Sequence, residues 1–194
     1  MDYELLSESE RKMLVKTIGV ETRRVAPKYT TTLDYACVAA EKLIGDLGWD
    51  KNEIKIEVFV TQSRDYYLPS TAVIAQHKLG LPSDCMAFDI GLGCSGYTYG
   101  LSVITSLMKS SGIQKGLLLV GDVSTVTNHY EDRSTYPLFG DAGTATAIEL
   151  SGDDEWIFDL HSDGSGEDAI KIPHGGARNL VDENSLKEVK QDDG

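Results

Sequence analysis

The stretch Ala87-Phe88-Asp89-Ile90-Gly91-Leu92-Gly93-Cys94-Ser95-Gly96 holds the residues best suited to chemistry. A short apolar run ends, a glycine-rich turn follows, and a cysteine stands where the next helix should begin. The first turn of a helix has unpaired N–H groups and a partial positive charge, which favour thiolate over thiol. Glycines let the backbone turn sharply and let a substrate come close. The same N–H groups can bind a thioester oxygen as it gains charge. A thiolate attacking a thioester is a near-isoenergetic exchange, so Cys94 would suit acyl transfer from a carrier thiol. The competing reading is a buried, inert cysteine. Cys37, on an apolar helix face, and Cys85, in a loop, read as inert. Three cysteines are too few and too odd for a disulfide framework, and a reducing cytoplasm is the default compartment.

The elements that must hold this turn alternate between strand and helix. Thr30 to Trp49 is a helix with Thr31 and Asp34 as a capping-box variant. Leu33, Cys37, Ala40, Leu43, Ile44 and Leu47 line one of its faces. Ile54 to Val60 reads as a strand. Pro69-Ser70 opens a helix that runs through Leu79 to a stop at Gly80. Met86 to Ile90 is a short strand. Gly116-Leu117-Leu118-Leu119-Val120 is a wholly apolar strand, as in a sheet buried on both faces. Thr144 to Leu150 and Trp156 to Leu160 complete the pattern. This alternation predicts an α/β fold with a mixed, mostly parallel sheet.

The helix expected from Cys94 to Met108, closed by Gly112, carries no charge over its fifteen residues. Tyr97, Tyr99, Leu101, Val103, Ile104, Leu107 and Met108 lie all round it, with Gly96, Gly100, Ser102 and Ser106 between them. A helix without a polar face is covered on every side. It is therefore expected in a central layer, between two sheets or against another subunit. A tight dimer helix in a plain α/β domain is the competing reading.

The 194 residues carry 18 Lys+Arg against 31 Asp+Glu, a formal net charge of −13. That excludes a strongly basic nucleic-acid binder and argues against an anionic membrane surface as partner. No apolar run approaches the ~18 residues of a membrane span. Met1-Asp2-Tyr3-Glu4 lacks the basic start of a secretory signal. Residues 151–194 hold 12 acidic and 4 basic side chains, and Asp182 to Gly194 reads as a mobile tail or a cut end.

Ala87-Phe88-Asp89, Cys94-Ser95-Gly96 and Tyr99-Gly100-Leu101 resemble the nucleophile region of β-ketoacyl-acyl-carrier-protein synthase III, a condensing enzyme of the thiolase superfamily. The resemblance extends to Gly19-Val20-Glu21-Thr22-Arg23-Arg24, Leu68-Pro69-Ser70-Thr71-Ala72, Asp132-Arg133-Ser134-Thr135, Phe139-Gly140-Asp141-Ala142-Gly143 and Ser162-Asp163-Gly164-Ser165-Gly166. These blocks occur in the family's order over roughly residues 17 to 180, and it is their combination that is specific.

The resemblance implies a thiolase-like fold of two similar halves in five αβαβα layers, with the nucleophile helix in the middle. It implies that Cys94 takes an acyl group from acyl-CoA. A malonyl unit on acyl-carrier protein then loses CO₂ and attacks the acyl-cysteine, as in fatty-acid biosynthesis. By resemblance Cys94 is the catalytic nucleophile and Phe139 shapes the acyl pocket. Leu68 reaches into the other subunit's acyl tunnel, where the family more often has Phe. Arg133 stacks on the adenine of CoA; Met13 stands near the place where its partner is often Trp. A cytoplasmic homodimer is implied, with CoA as substrate and no further cofactor or metal.

The family's catalytic His and Asn belong to its second half. His77, His129, His161 and His174 lie in no matching motif and are assigned no catalytic role. The family's opening strand has no match in Met1 to Val15. The chain is therefore expected to be the N-terminal half of a condensing enzyme, as an expressed domain or truncated product with the C-terminal half absent. Alone it should be acylated at Cys94 but not condense. Two readings stay open beside this one: an acyltransferase of the same superfamily that passes the acyl group to a hydroxyl or amine, and a non-catalytic half that supplies only fold and dimer contacts.

Overall fold

A computed structural model describes residues 3–152, 155–185 and 187–189. They fall into two compact units, one ending at Trp156 and one starting at Ile157. The first unit holds every helix and strand longer than a single turn. In chain order these are α1 (Glu8–Ile18), α2 (Thr32–Leu47), β1 (Ile54–Val60), α3 (Thr71–Lys78), β2 (Met86–Ile90), α4 (Gly96–Ser111), β3 (Lys115–Val123) and β4 (Asp141–Glu149).

The four strands form one sheet in the order β2-β1-β3-β4. β1 is parallel to both neighbours, with Val58 opposite Phe88 on one side and Leu118 on the other. β4 runs antiparallel to β3, with Thr144 opposite Val120. Helices α2 and α3 cover one face, where Leu33, Ala36, Ala40, Ala72, Ala75 and Leu79 pack on Phe59, Leu117 and Leu119. Helix α4 covers the other, where Ile104 and Met108 pack on Ile56, Val58, Val60 and Leu118. The alternate residues of β3 thus serve two cores, and this is why its sequence is an unbroken apolar run.

The mixed, mostly parallel sheet and the layered α/β fold agree with the sequence reading. Asp34 accepts the backbone N–H of Thr31 at 3.1 Å, as its place in the capping box requires. Three features differ. Helix α1 was not anticipated, although Ser7 and Glu10 write a capping box at its start: the Ser7 N–H donates to Glu10 Oε2 at 2.7 Å, and Ser7 Oγ accepts the Glu10 N–H at 3.3 Å. Trp156 to Leu160 is irregular and not a strand; alternation makes a strand only where a neighbour is placed to pair with it.

The third difference is α4. Its buried residues are Gly96, Gly100, Ile104 and Met108, one stripe at a spacing of four. At Gly96 and Gly100 a β-carbon would come within 2.6 Å of Val60 Cγ1 and 2.8 Å of Leu118 Cδ1, so glycine lets the helix lie close on the sheet. Tyr97, next to this stripe, is 42% exposed although its hydroxyl accepts from Thr146 of β4. Among the described residues α4 is covered on the sheet side alone, because these residues build a single sheet.

In the second unit none of the described residues is buried, and Ile157 and Ile170 are more than nine-tenths exposed. Its regular structure is one short 3₁₀ turn, Gly164–Gly166, which Asp163 caps through the Ser165 N–H at 2.9 Å. Of the expected tail, Asp182 organises a turn by accepting the N–H groups of Asn184 and Ser185. Residues 186 and 190–194, with Met1 and Asp2 of the N-terminus, lie outside the described residues.

Candidate active site

The parallel strands β1, β2 and β3 end on the same edge of the sheet, and the candidate residues lie on the connections that leave that edge. In open α/β sheets this is the edge where ligands bind. Cys94 lies between the end of β2 at Ile90 and the start of α4 at Gly96, and it is exposed. The turn around it is closed by the Gly96 N–H donating to the Gly93 carbonyl at 2.8 Å, so Cys94 and Ser95 are its two central residues. The helix begins two residues after the sulfur, later than the sequence suggested.

The other cysteines are unlike it. Burial pushes the half-buried Cys37 thiol up to about 11, with the Glu57 carboxylate adding to the effect. Burial pushes the Cys85 thiol up to about 12, again with Glu57 second. Near neutral pH both are thiols, as their inert reading requires.

Leu68 is 87% exposed on the β1–α3 connection, directly before the cis peptide to Pro69. The start of α3 just beyond it is held from β2. The Asp89 carboxylate accepts the Thr71 N–H on one oxygen and the Ala72 N–H on the other, both at 2.7 Å. This bidentate cap uses two of the helix's unpaired donors. It also ties the Leu68 loop to the strand that leads to Cys94.

Phe139 is 42% exposed, two residues before β4, and its carbonyl accepts Arg23 Nη1 at 3.0 Å. Arg133 lies on the connection from β3 to β4. Its Nη2 donates to Glu10 Oε1 at 2.8 Å, and both side chains are about half exposed. The structure therefore sets Arg133 beside α1, the helix that carries Met13. The Ser7 hydroxyl and N–H, and then Arg133, hold the Glu10 carboxyl below its ordinary value. Around this contact the rings of Tyr3, Tyr130 and Tyr136 pack within 5.0–5.4 Å of one another. The Arg23 guanidinium stacks over Tyr136 at 4.2 Å. On the same connection Asp132 accepts from Ser134 and Thr135, which brings its carboxyl down to about 2.

Two carboxylates that shape this edge were not singled out from sequence. Asp141 starts β4 and accepts the Ala26 N–H at 2.7 Å and the Thr125 N–H at 3.0 Å, joining three segments. Asp122, near the end of β3, gathers the residues that follow β1. Their partners are 16 to 115 residues away, beyond the reach of any local pattern. Among the described residues no group of His, Cys, Asp and Glu is placed to hold a metal. None of the described helices is long and apolar enough to cross a membrane.

Residues 88–165 match the family model for 3-oxoacyl-[acyl-carrier-protein (ACP)] synthase III. A β-ketoacyl-[acyl-carrier-protein] synthase III of Campylobacter fetus is 40% identical over 177 residues, covering 89% of this chain and 52% of its own length. One from Chlamydia caviae is 35% identical over 185 residues, covering 91% and 53%. Among solved structures, a 3-oxoacyl-(acyl-carrier-protein) synthase III superposes with a TM-score of 0.89 at 30% identity, over 97% of this chain and 60% of its own. A 3-oxoacyl-(acyl-carrier protein) synthase of Burkholderia xenovorans gives 0.75 at 43% identity, over 78% and 43%. The chain thus spans about half the length of the curated relatives it matches. The matched segment runs from β2 through Cys94 and α4 past the end of the sheet, and the fold is shared nearly end to end, so in sequence and in fold the chain is similar to the 3-oxoacyl-[acyl-carrier-protein] synthase III family.

Proposed function

We propose that this chain is the acyl-accepting, N-terminal half of a β-ketoacyl-acyl-carrier-protein synthase III of fatty-acid biosynthesis. The observation that carries the reading is the exposed Cys94 in a glycine turn at the ligand-binding edge of the sheet, inside the segment matched to the family. The Cys94 thiolate attacks the carbonyl of an acyl-CoA. The carbon–sulfur bond to CoA breaks, CoA leaves as its thiol, and the acyl group stays on Cys94 as a thioester. Malonyl-acyl-carrier protein then loses CO₂, and the resulting carbanion attacks the acyl-cysteine. The carbon–carbon bond forms, Cys94 is released and a β-ketoacyl thioester leaves on the carrier.

Phe139 and Leu68 are assigned to the acyl pocket, Leu68 across a homodimer interface in the cytoplasm, and Arg133 to CoA. The second step also needs groups that bind the thioester oxygen and stabilise the enolate-like charge. We assign them to a C-terminal half, which would also cover the outward side of α4. The test is intact mass spectrometry after incubation with acyl-CoA, paired with an assay for β-ketoacyl product. The expected result is one acyl mass on Cys94 and no product from malonyl-acyl-carrier protein. Turnover by these 194 residues alone would overturn the division of labour. No adduct would favour the scaffold reading. Transfer from Cys94 to a hydroxyl or amine would favour the acyltransferase.

The Glu10 carboxylate competes with an anionic ligand for Arg133. Glu10→Gln removes the charge that holds it and should tighten CoA binding a few-fold in a calorimetric titration, with little change in stability because the pair is on the surface. Unchanged affinity would remove Arg133 from the CoA site.

A further inference from the structure

Gln62 has no part in the scheme above, yet its backbone is held by a carboxylate from another strand. It directly follows Thr61 at the end of β1. Its N–H donates to Asp122 Oδ1 at 2.7 Å. The same oxygen accepts Thr61 Oγ1 at 2.8 Å, the Ser63 N–H at 2.9 Å and Ser63 Oγ at 3.0 Å. Ser63 Oγ in turn accepts the Val123 N–H at 2.8 Å, and the Thr61 N–H donates to the Ile90 carbonyl at 3.1 Å. Residues 61–63 are thereby tied to β3 through Asp122 and to β2 through Ile90. Hydrogen bonds to a carboxylate are among the stronger kinds, and the four donors converging on this oxygen share its lone pairs and draw residues 61–63 together around it.

From that fixed backbone the Gln62 side chain reaches the exit of β2. Its carboxamide lies against Gly93: a β-carbon on Gly93 would come within 2.5 Å of Gln62 Oε1 and 3.1 Å of its Cδ. Gly93 has no left-handed φ, so its conformation does not call for glycine. The space beside it is taken by the far end of the exposed Gln62 side chain, which would have to shift for any β-carbon to fit. Gly93 is also the residue whose carbonyl closes the turn around Cys94.

We propose that Gln62 is a positioning residue for the nucleophile: aimed by Asp122, its carboxamide packs on Gly93 and holds the Gly93–Gly96 turn so that the Cys94 sulfur faces the substrate. This rests on the reading of Cys94 as the acyl acceptor. Gln62 touches the turn and not the reacting atoms, and it acts through Gly93.

The test is the rate of Cys94 alkylation by iodoacetamide between pH 6 and 10 in the whole chain, with the labelled peptide resolved from those of Cys37 and Cys85. Gln62→Ala and Gly93→Ala remove the same contact from opposite sides, one by deleting the carboxamide and the other by displacing it. Each should lower the high-pH limiting rate roughly tenfold, the scale of a misplaced reacting group. The double variant should be no slower than the slower single one, as for two changes to a single contact. Gln62→Glu keeps the shape and adds a charge, and should move the midpoint of the profile upward where Gln62→Ala does not.

An unchanged profile in Gln62→Ala and Gln62→Glu, or additive losses in the double variant, would overturn the proposal. Urea midpoints exclude a folding defect, and should Gly93→Ala fail to fold, the two Gln62 variants decide alone. Alkylation needs no acyl donor. The expected pattern together with no acyl adduct from acyl-CoA would keep the positioning role and sink the proposed function.

Discussion

Replacing Glu57 by valine will raise the stability of the chain most at alkaline pH, by several kcal/mol. Glu57 is in the middle of β1, fully buried, and neither of its carboxylate oxygens has a hydrogen-bond partner among the described residues. Burial, and secondly the Asp89 carboxylate on the neighbouring strand, push its carboxyl from 4.5 up to about 8. The half-buried Cys37 and buried Cys85 are the other titratable groups that feel its charge. A carboxyl with a raised value binds its proton more tightly folded than unfolded. Its share of stability is therefore full below 4.5 and is lost as pH rises to about 8. The loss across that window is on the order of 4–5 kcal/mol. Below the window the variant gains only what an unpartnered buried polar group costs, about 1–3 kcal/mol. Urea unfolding at pH 5, 7 and 8.5 reads the effect. The wild-type midpoint should fall steeply with pH and that of Glu57→Val should not. Glu57→Gln keeps the shape and the buried polar group, so it should flatten the profile without the added stability at pH 5. Parallel profiles for wild type and Glu57→Val would show that Glu57 does not titrate in the interior. The acid side of the profile is set by other groups, among them Asp132, whose stabilising bonds are lost as pH falls toward 2.

Cys94→Ser will abolish both acyl transfer to the chain and thiol labelling near pH 8, each by at least about 100-fold, because a hydroxyl without a base is a far weaker nucleophile. The size of the effect follows from the contrast among the three cysteines. With their thiols pushed up to about 11 and about 12, Cys37 and Cys85 present little thiolate near neutrality, while Cys94 is the exposed one. One equivalent of iodoacetamide should label wild type, on Cys94, and none should label the variant in the same time. Label retained by Cys94→Ser at the wild-type rate would place the reactive thiol elsewhere.

These residues also show what a sequence makes legible. The apolar run Gly116–Val120 and the cap at Thr31 and Asp34 announce elements through contacts within a few residues, and the folded chain agrees. The nucleophile turn was legible because its chemistry is written in consecutive residues. Glu57 was not. In the alternation Ile54, Ile56, Val58, Val60, an intervening Glu reads as the wet face of a half-exposed strand. The face it occupies is closed by α2 and α3, which arrive from 10 residues before and 14 residues after it. Asp122 and Asp89 escaped notice for the same reason: Asp122 does its work some 60 residues away and Asp89 some 18 away. Trp156 to Leu160 shows the converse, a good local pattern that pairs with no strand among the described residues.

The double cap that Asp89 places on α3 has a mechanical consequence. Strand β2 cannot slide along its neighbour by one residue without dragging the first turn of α3, and with it the loop that carries Leu68. The two ends of this linkage, a sulfur on one side and an apolar prong on the other, should open and close as a single unit. In hydrogen exchange the amides of Thr71 and Ala72 should therefore lose protection in step with those of β2, and not with the rest of their own helix.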